Sequence, residues 1–304
     1  MKQTTTLFAI ASLGTVNAAT LTWNGGTDNN WFEATNWTPN QQPNNSSDDL
    51  TINSGTPVAS SNVNISGGGS VTIDGGDVTW SGRFNTTGNG SAANVLITAG
   101  SLSVNYAGGA SHAFNIGNAG GAGVFRQQGG TVNALNSNDE IFIKSGGLYE
   151  MSGGILNAGS IVNGVGGQGA GTFKIIGNNS LINLTSGYTQ DSLSTLALDI
   201  NGISTINAGG LASLAGGLDI SFLATPSPGQ TFDILQYGSL SGTFDTFDAL
   251  VDSPLGADSV SLGIDYGVNG DTVQVSVISV IPEPSSSSLL LAGLLGGVCR
   301  RSRR

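Results

Sequence analysis

The chain is poor in the residues that most protein chemistry requires. Cysteine occurs once in 304 residues, at Cys299 in the terminal tail, so no internal disulfide can staple the body. Histidine also occurs once, at His112, with no cysteine, second histidine or run of acids beside it to form a metal site. Charged residues make up only 10% of the chain, and basic residues are the scarcest. Between positions 20 and 281 only Arg83, Arg126, Lys144 and Lys174 stand against 19 acids, a net charge of −15. A body so acidic lacks the basic footprint that a phosphate backbone requires, which excludes nucleic acid as a partner. A GxSxG elbow, an HExxH helix and a P-loop are absent, as are an EF-hand loop and a glycine-aspartate nonapeptide array. No cofactor and no metal is therefore expected.

Glycine is abundant, at 48 residues. Aliphatic residues are plentiful too, so the composition is that of a folded chain. Low charge with much Gly, Ser, Thr and Asn predicts many short strands and many turns, an all-β chain.

The middle of the sequence repeats. Six stretches align: "GSVTIDGG" from Gly69, "ANVLITAG" from Ala93, "GVFRQQGG" from Gly123, "GLYEMSGG" from Gly147, "GTFKIIGN" from Gly171 and "TLALDING" from Thr195. Their starts are 24, 30, 24, 24 and 24 residues apart. The third residues are Val71, Val95, Phe125, Tyr149, Phe173 and Ala197, and the fifth are Ile73, Ile97, Gln127, Met151, Ile175 and Asp199. Alternate apolar positions predict strands with one buried face. The closing Gly or Asn pair predicts a corner that needs positive φ. Val78, Leu102, Val132 and Leu156 mark a second strand at a constant offset. A propeller blade needs about forty residues, so a 24-residue period predicts the coil of a parallel β-helix, right-handed by the general rule for parallel crossovers. Six coils would span about 29 Å at the ordinary strand spacing. The competing architecture is a Gly-rich β-sandwich, which does not account for three consecutive gaps of 24 in one apolar register.

The 30-residue gap implies a six-residue insertion between Gly100 and Gly123, which contains His112. Insertions in solenoids emerge as surface loops. His112 reads as an exposed loop residue or one packed beside Tyr106 and Phe114. Trp23, Trp31 and Trp37 cluster before the repeats and suit a cap over the open solenoid end; the alternative is an aromatic platform for sugars. "DSVSLGIDYGVNGDTVQVSVISV" predicts a hairpin around Asn269-Gly270.

Lys2, the apolar run Leu7 to Val16 and the small residues through Ala18 predict a cleaved secretory signal. The far end carries Pro282-Glu283-Pro284. An apolar run from Leu289 to Val298 follows, with Leu289, Leu290, Leu291, Leu294 and Leu295 as its bulk, then Arg300, Arg301, Arg303 and Arg304. These features resemble the PEP-CTERM sorting signal of exported bacterial proteins. The resemblance implies processing by an exosortase-type membrane peptidase that recognises Pro-Glu-Pro. The physics agrees: the leucines would stop transfer, the arginines would stay on the cytoplasmic side, and the prolines would hold the preceding peptide extended. Residues 285–299 would reach only about 22 Å as a helix against about 30 Å of hydrocarbon, which suits a transient membrane contact. The body is similar to the solenoid passengers of autotransporter-like and PEP-CTERM surface proteins in its Trp-rich start and in "VFRQQGGTVN", "LYEMSGGILN" and "GGLDISFLATPSPGQTFDILQYGSLSGTFDTF".

The organisation expected is a signal peptide at 1–18, a cap at 19–65, solenoid repeats at 66–216, a C-terminal β region at 217–280 and a sorting segment at 281–304. The function expected is a non-enzymatic protein of the cell surface or extracellular matrix, exported through the inner membrane, which it contacts transiently; an extracellular polysaccharide is a candidate partner. The alternatives are a secreted β-helix polysaccharide lyase or hydrolase and a glycan-binding adhesin using the His112 loop or the tryptophans. Catalysis would need converging acids, and the candidates are Asp139 with Glu140, and Asp74 with Asp77, either pair also a weak Ca²⁺ candidate.

Overall fold

The computed structural model describes residues 18–45, 47–86, 93–106, 114–117, 121–135, 140–164, 169–200, 202, 204–251 and 259–281. The described residues form a β-solenoid, and their one helical element is a 3-10 turn at Ala34–Asn36. Each coil presents up to three strands, which pair in parallel with their counterparts in neighbouring coils; Trp37–Thr38 and the two C-terminal strands pair antiparallel.

The first face is built from Thr20–Trp23, Asp49–Ile52, the first halves of Ser70–Trp80 and Ala93–Val104, then Gly123–Gln127, Gly147–Met151, Thr172–Ile176, Thr195–Ile200, Gly217–Phe222 and Thr246–Val251. Its register aligns Leu21, Leu50, Val71, Val95, Phe125, Tyr149, Phe173, Leu196 and Leu218 in one column. Every member is at most 1% exposed. The expected interior column from Val71 to Phe173 is thus present in sequence order. The second face carries Val78, Leu102, Val132 and Leu156, continued by Ile182, Ile206 and Leu235. A third face stacks Val63, Phe84, Phe114, Ile141, Ile161 and Tyr188. The parallel ladder runs beyond the expected 66–216, from residue 20 to residue 251.

One register expectation needs correction. Thr172 pairs with Thr195 and Phe173 with Leu196, so the sixth repeat lies 23 residues after the fifth. Leu196, Leu198 and Ile200 point inward, while Ala197 and Asp199 face out. A slip of one residue exchanges the two faces of a strand, and the register that buries leucine rather than aspartate prevails. The coil is therefore not of fixed length. Corners absorb the variation and the columns do not.

The extra six residues of the 30-residue coil can be located. Trp80 pairs with Val104, 24 positions on, whereas Phe84 pairs with Phe114, 30 positions on. The insertion falls at the corner between the second and third faces. His112 in that segment lies outside the described residues.

The Gly-Gly corners have a steric cause. Gly100, Gly130 and Gly154 each have positive φ, +74°, +63° and +87°. They also stack on one another. A Cβ on Gly100 would lie 2.2 Å from the Gly76 carbonyl oxygen, one on Gly130 2.6 Å from that of Gly100, and one on Gly154 2.5 Å from that of Gly130. The column thus requires glycine twice over, by backbone conformation and by the approach of the coil below.

Both ends are closed. At the start, Trp31 and Trp37 are fully buried and Trp23 nearly so. Trp37 packs edge-to-face on Trp23 and on Trp31, at 5.3 and 5.0 Å between centroids, and Trp31 leads on to Trp80. At the other end Ser259–Val268 and Thr272–Ile281 form the expected hairpin, turning at Asn269 (φ 54°) and Gly270 (φ 89°). Its second strand pairs antiparallel with residues 231–236.

Gly130→Ala should lower stability by about 2–4 kcal/mol, the sum of a left-handed alanine and a backbone contact that must yield. Gly267→Ala, where a Cβ meets nothing within 4 Å, should stay within about 0.5 kcal/mol. Chemical unfolding midpoints of the two variants and the parent check this.

Candidate functional site

The outward side chains of a parallel solenoid stand in columns, so a polar residue can meet its counterpart one coil away or, as Lys174 does, the outward residue two positions along. On the first face Arg126 pairs with Glu150 (3.1 Å), and Lys174 with Asp199 (2.7 Å). At the corners Asp49 accepts from Ser70 Oγ and Asp77 from Ser101 Oγ. Asp74 accepts from Thr98 Oγ1. The carboxylates of the Asp74–Asp77 pair are therefore turned to separate rungs of the ladder. Glu140 opens the strand Glu140–Ile143, and its sequence neighbour Asp139 lies outside the described residues. Among the described residues no three His, Cys, Asp or Glu side chains gather as metal ligands would. The remaining two bases sit over rings: Arg83 over Tyr106 and Lys144 over Phe142. Burial and the nearby Arg83 lower the pKa of Lys144.

Amides form two ladders that sequence reasoning missed. Asn115 donates to Asn85, which donates to Asn64. Asn183 donates to Asn157, which donates to Asn133. The second ladder was visible as asparagines recurring 24 and 26 residues apart within the strand pattern.

Two buried polar clusters were also missed, and neither has a sequence signal beyond a glutamine or tyrosine at an inward position. Tyr149 donates to Gln127 Oε1 (2.8 Å), and Gln127 Nε2 donates to the Ile155 carbonyl (2.9 Å). In later coils Tyr188 donates to Gln190 Oε1, while Gln190 Nε2 donates to the carbonyls of Ala215 and Gly217. Asn163 Nδ2 donates to the Thr195 carbonyl. These side chains tie a coil to the corner of the next one. Burial raises the pKa of both Tyr149 and Tyr188.

A cleft of about 280 Å³ opens at the N-terminal end, between the first coil and residues 54–56 of the second. Trp23, Gly25, Asp28, Asn29, Gly55 and Thr56 are on its wall. Asp28 is held there by the backbone N–H of Asn30 and the amide of buried Asn36. Those two donors keep its pKa below the usual carboxylate value.

The expected sorting residues, from Pro282, Glu283 and Pro284 through the leucines to Arg300, Arg301, Arg303 and Arg304, lie outside the described residues, as does the expected signal peptide through residue 17. Among the described residues no helix is long and apolar enough to cross a membrane. Comparison with protein-family models, with curated proteins and with solved structures finds no match for this chain.

Tyr149→Phe should cost about 1–3 kcal/mol by leaving Gln127 Oε1 buried without its donor. Tyr106→Phe, at a partly exposed ring, should change stability by less than about 0.5 kcal/mol.

Because Tyr149 and Tyr188 resist ionisation when folded, the unfolded chain releases these protons first. The contribution of these two groups to stability should be complete below about pH 10 and be lost as pH rises above it. Tyrosinate absorbance from these two rings should appear only together with loss of β-sheet circular dichroism.

Proposed function

We propose that this is an exported, non-enzymatic β-solenoid of the cell surface or extracellular matrix, routed by a PEP-CTERM-type signal. The observation that carries this reading is the order of features at the two ends of the chain. A basic residue, an apolar run and small residues stand at the start; Pro282-Glu283-Pro284, the leucines and four arginines stand at the end. In this reading the terminal apolar run is a short helix that engages the inner membrane. The arginines keep to the cytoplasmic side and an exosortase-type peptidase cuts near Pro-Glu-Pro. The coil is taken as right-handed, the rule for parallel crossovers.

The body supports a structural role. Five of its carboxylates, those of Asp49, Asp74, Asp77, Glu150 and Asp199, are engaged in rungs of the ladder. Polysaccharide cleavage requires acids that converge on a substrate, whereas these are each turned to a separate rung, Asp74 and Asp77 of one coil included. The tryptophans of the alternative sugar platform are buried, ring against ring, and so present no open aromatic face for a sugar to stack on.

Intact mass and membrane fractionation test the routing. The mature chain should end near Pro282-Glu283-Pro284 and leave the membrane, whereas Glu283→Ala should accumulate as uncut precursor in the inner membrane. A wild-type chain that keeps Arg304 and stays membrane-bound would overturn the reading.

A further inference from the structure

The four indoles of the described chain differ in one respect. Trp37 Nε1 donates to the Trp31 carbonyl (2.8 Å), and the N–H groups of Trp31 and Trp80 are buried without partners. Trp23 is only 5% exposed, yet its Nε1–H meets neither a protein acceptor nor a sealed wall. It lies beside two glycines that, like Trp23 itself, line the N-terminal cleft, and their missing side chains leave a gap there. A Cβ on Gly55 would lie 2.8 Å from Nε1, and one on Gly25 3.4 Å. Both glycines have positive φ. The gap therefore keeps a buried donor open to the cleft.

We propose that this cleft binds a neutral hexopyranose residue of a glycan, with Trp23 Nε1–H donating to a ring hydroxyl and Asp28 accepting from another. Three observations select that chemistry. The wall draws on residue types that both donate and accept, with Ser54 and Thr56 on it together with Trp23 and Asp28. Asp28, on the wall, is pinned by Asn30 and Asn36 through one oxygen, Oδ1, so neither donor engages its other oxygen, and its ionised form repels anionic ligands. One carboxylate beside an N–H donor does not make a cation site. The volume, about 280 Å³, falls just short of the roughly 300–1,000 Å³ of small-molecule pockets and suits a single ring. The site does not depend on the sorting reading, because it is built entirely from the cap and the second coil.

The test uses the full chain labelled with ¹⁵N at its four indoles, titrated with the methyl glycosides of glucose, galactose, mannose and N-acetylglucosamine, and with methyl glucuronide. The expected result is a saturable shift of a single indole N–H signal by at least one neutral glycoside. That signal should be the one missing in Trp23→Phe, and the glucuronide should bind more weakly. Trp23→Phe keeps a ring on Trp37; should it fail to fold, Thr56→Val on the exposed wall identifies the site by weakening the same titration about three- to tenfold, the worth of one hydrogen bond. The proposal is overturned if no neutral glycoside shifts the Trp23 signal, if all four signals drift together, or if the glucuronide binds as tightly as the neutral sugars.

Discussion

Backbone hydrogen bonds between each coil and the next are the constraint on which the rest of this structure depends. Parallel pairing holds equivalent residues about 4.8 Å apart and repeats that spacing through the body. Whatever stands at one position therefore touches its counterpart above and below. Inward positions must offer apolar shapes that stack, and the chain answers with a spine of rings: Trp80, Phe84, Phe114, Phe125, Tyr149 and Phe173 follow one another with centroids 4.1 to 5.5 Å apart. Such contacts contribute about 0.5–1.5 kcal/mol each beyond burial of the rings. Glycine columns at the corners obey the same spacing, since a side chain there would enter the coil beneath.

The outer surface is under the same constraint, with a different outcome. A column of like charges would repel at this spacing, so the body carries few charges and arranges several as alternating or neutral pairs. Asn ladders and Ser–Asp or Thr–Asp rungs use the spacing to bond side chain to side chain. A surface bonded in this way ties each coil to its neighbours. It is well suited to persistence outside the cell without disulfides, which fits the proposed extracellular scaffold. The Trp23 cleft stands out because its donor and the hydroxyls of Ser54 and Thr56 are outside this mutual bonding.

Much of this architecture was legible because stacking writes periodicity into sequence. The apolar residues from Val71 to Phe173 and the Gly-Gly pairs behind them gave the coil, the register and the corners. The hairpin at Asn269-Gly270 was legible from its turn chemistry. The register at Thr195 was not, because a fixed 24-residue period was carried one coil too far. Alternation of Leu196, Leu198 and Ile200 was the better guide, since burial decides register and corner length does not. The third face was hidden by its short segments and by the insertion before Phe114. The cleft was invisible in sequence. Three tryptophans in a cap look alike there, and only packing decides which indole edge remains open.

Register is also the most direct thing to measure. With Cys299 replaced by serine, cysteine pairs on the first face can be oxidised and scored for cross-linking. Adjacent coils lie within the roughly 4.4–6.8 Å Cα separation that a disulfide spans, and alternate coils at about 9.6 Å do not. Cysteines at Arg126 and Glu150, at Glu150 and Lys174, and at Thr172 and Thr195 should cross-link. Pairs at Arg126 and Lys174, and at Thr172 and Leu196, should not. Cross-linking of Thr172 with Leu196 in place of Thr195, or equal cross-linking of Arg126 with Glu150 and with Lys174, would contradict the stacked register and the account built on it.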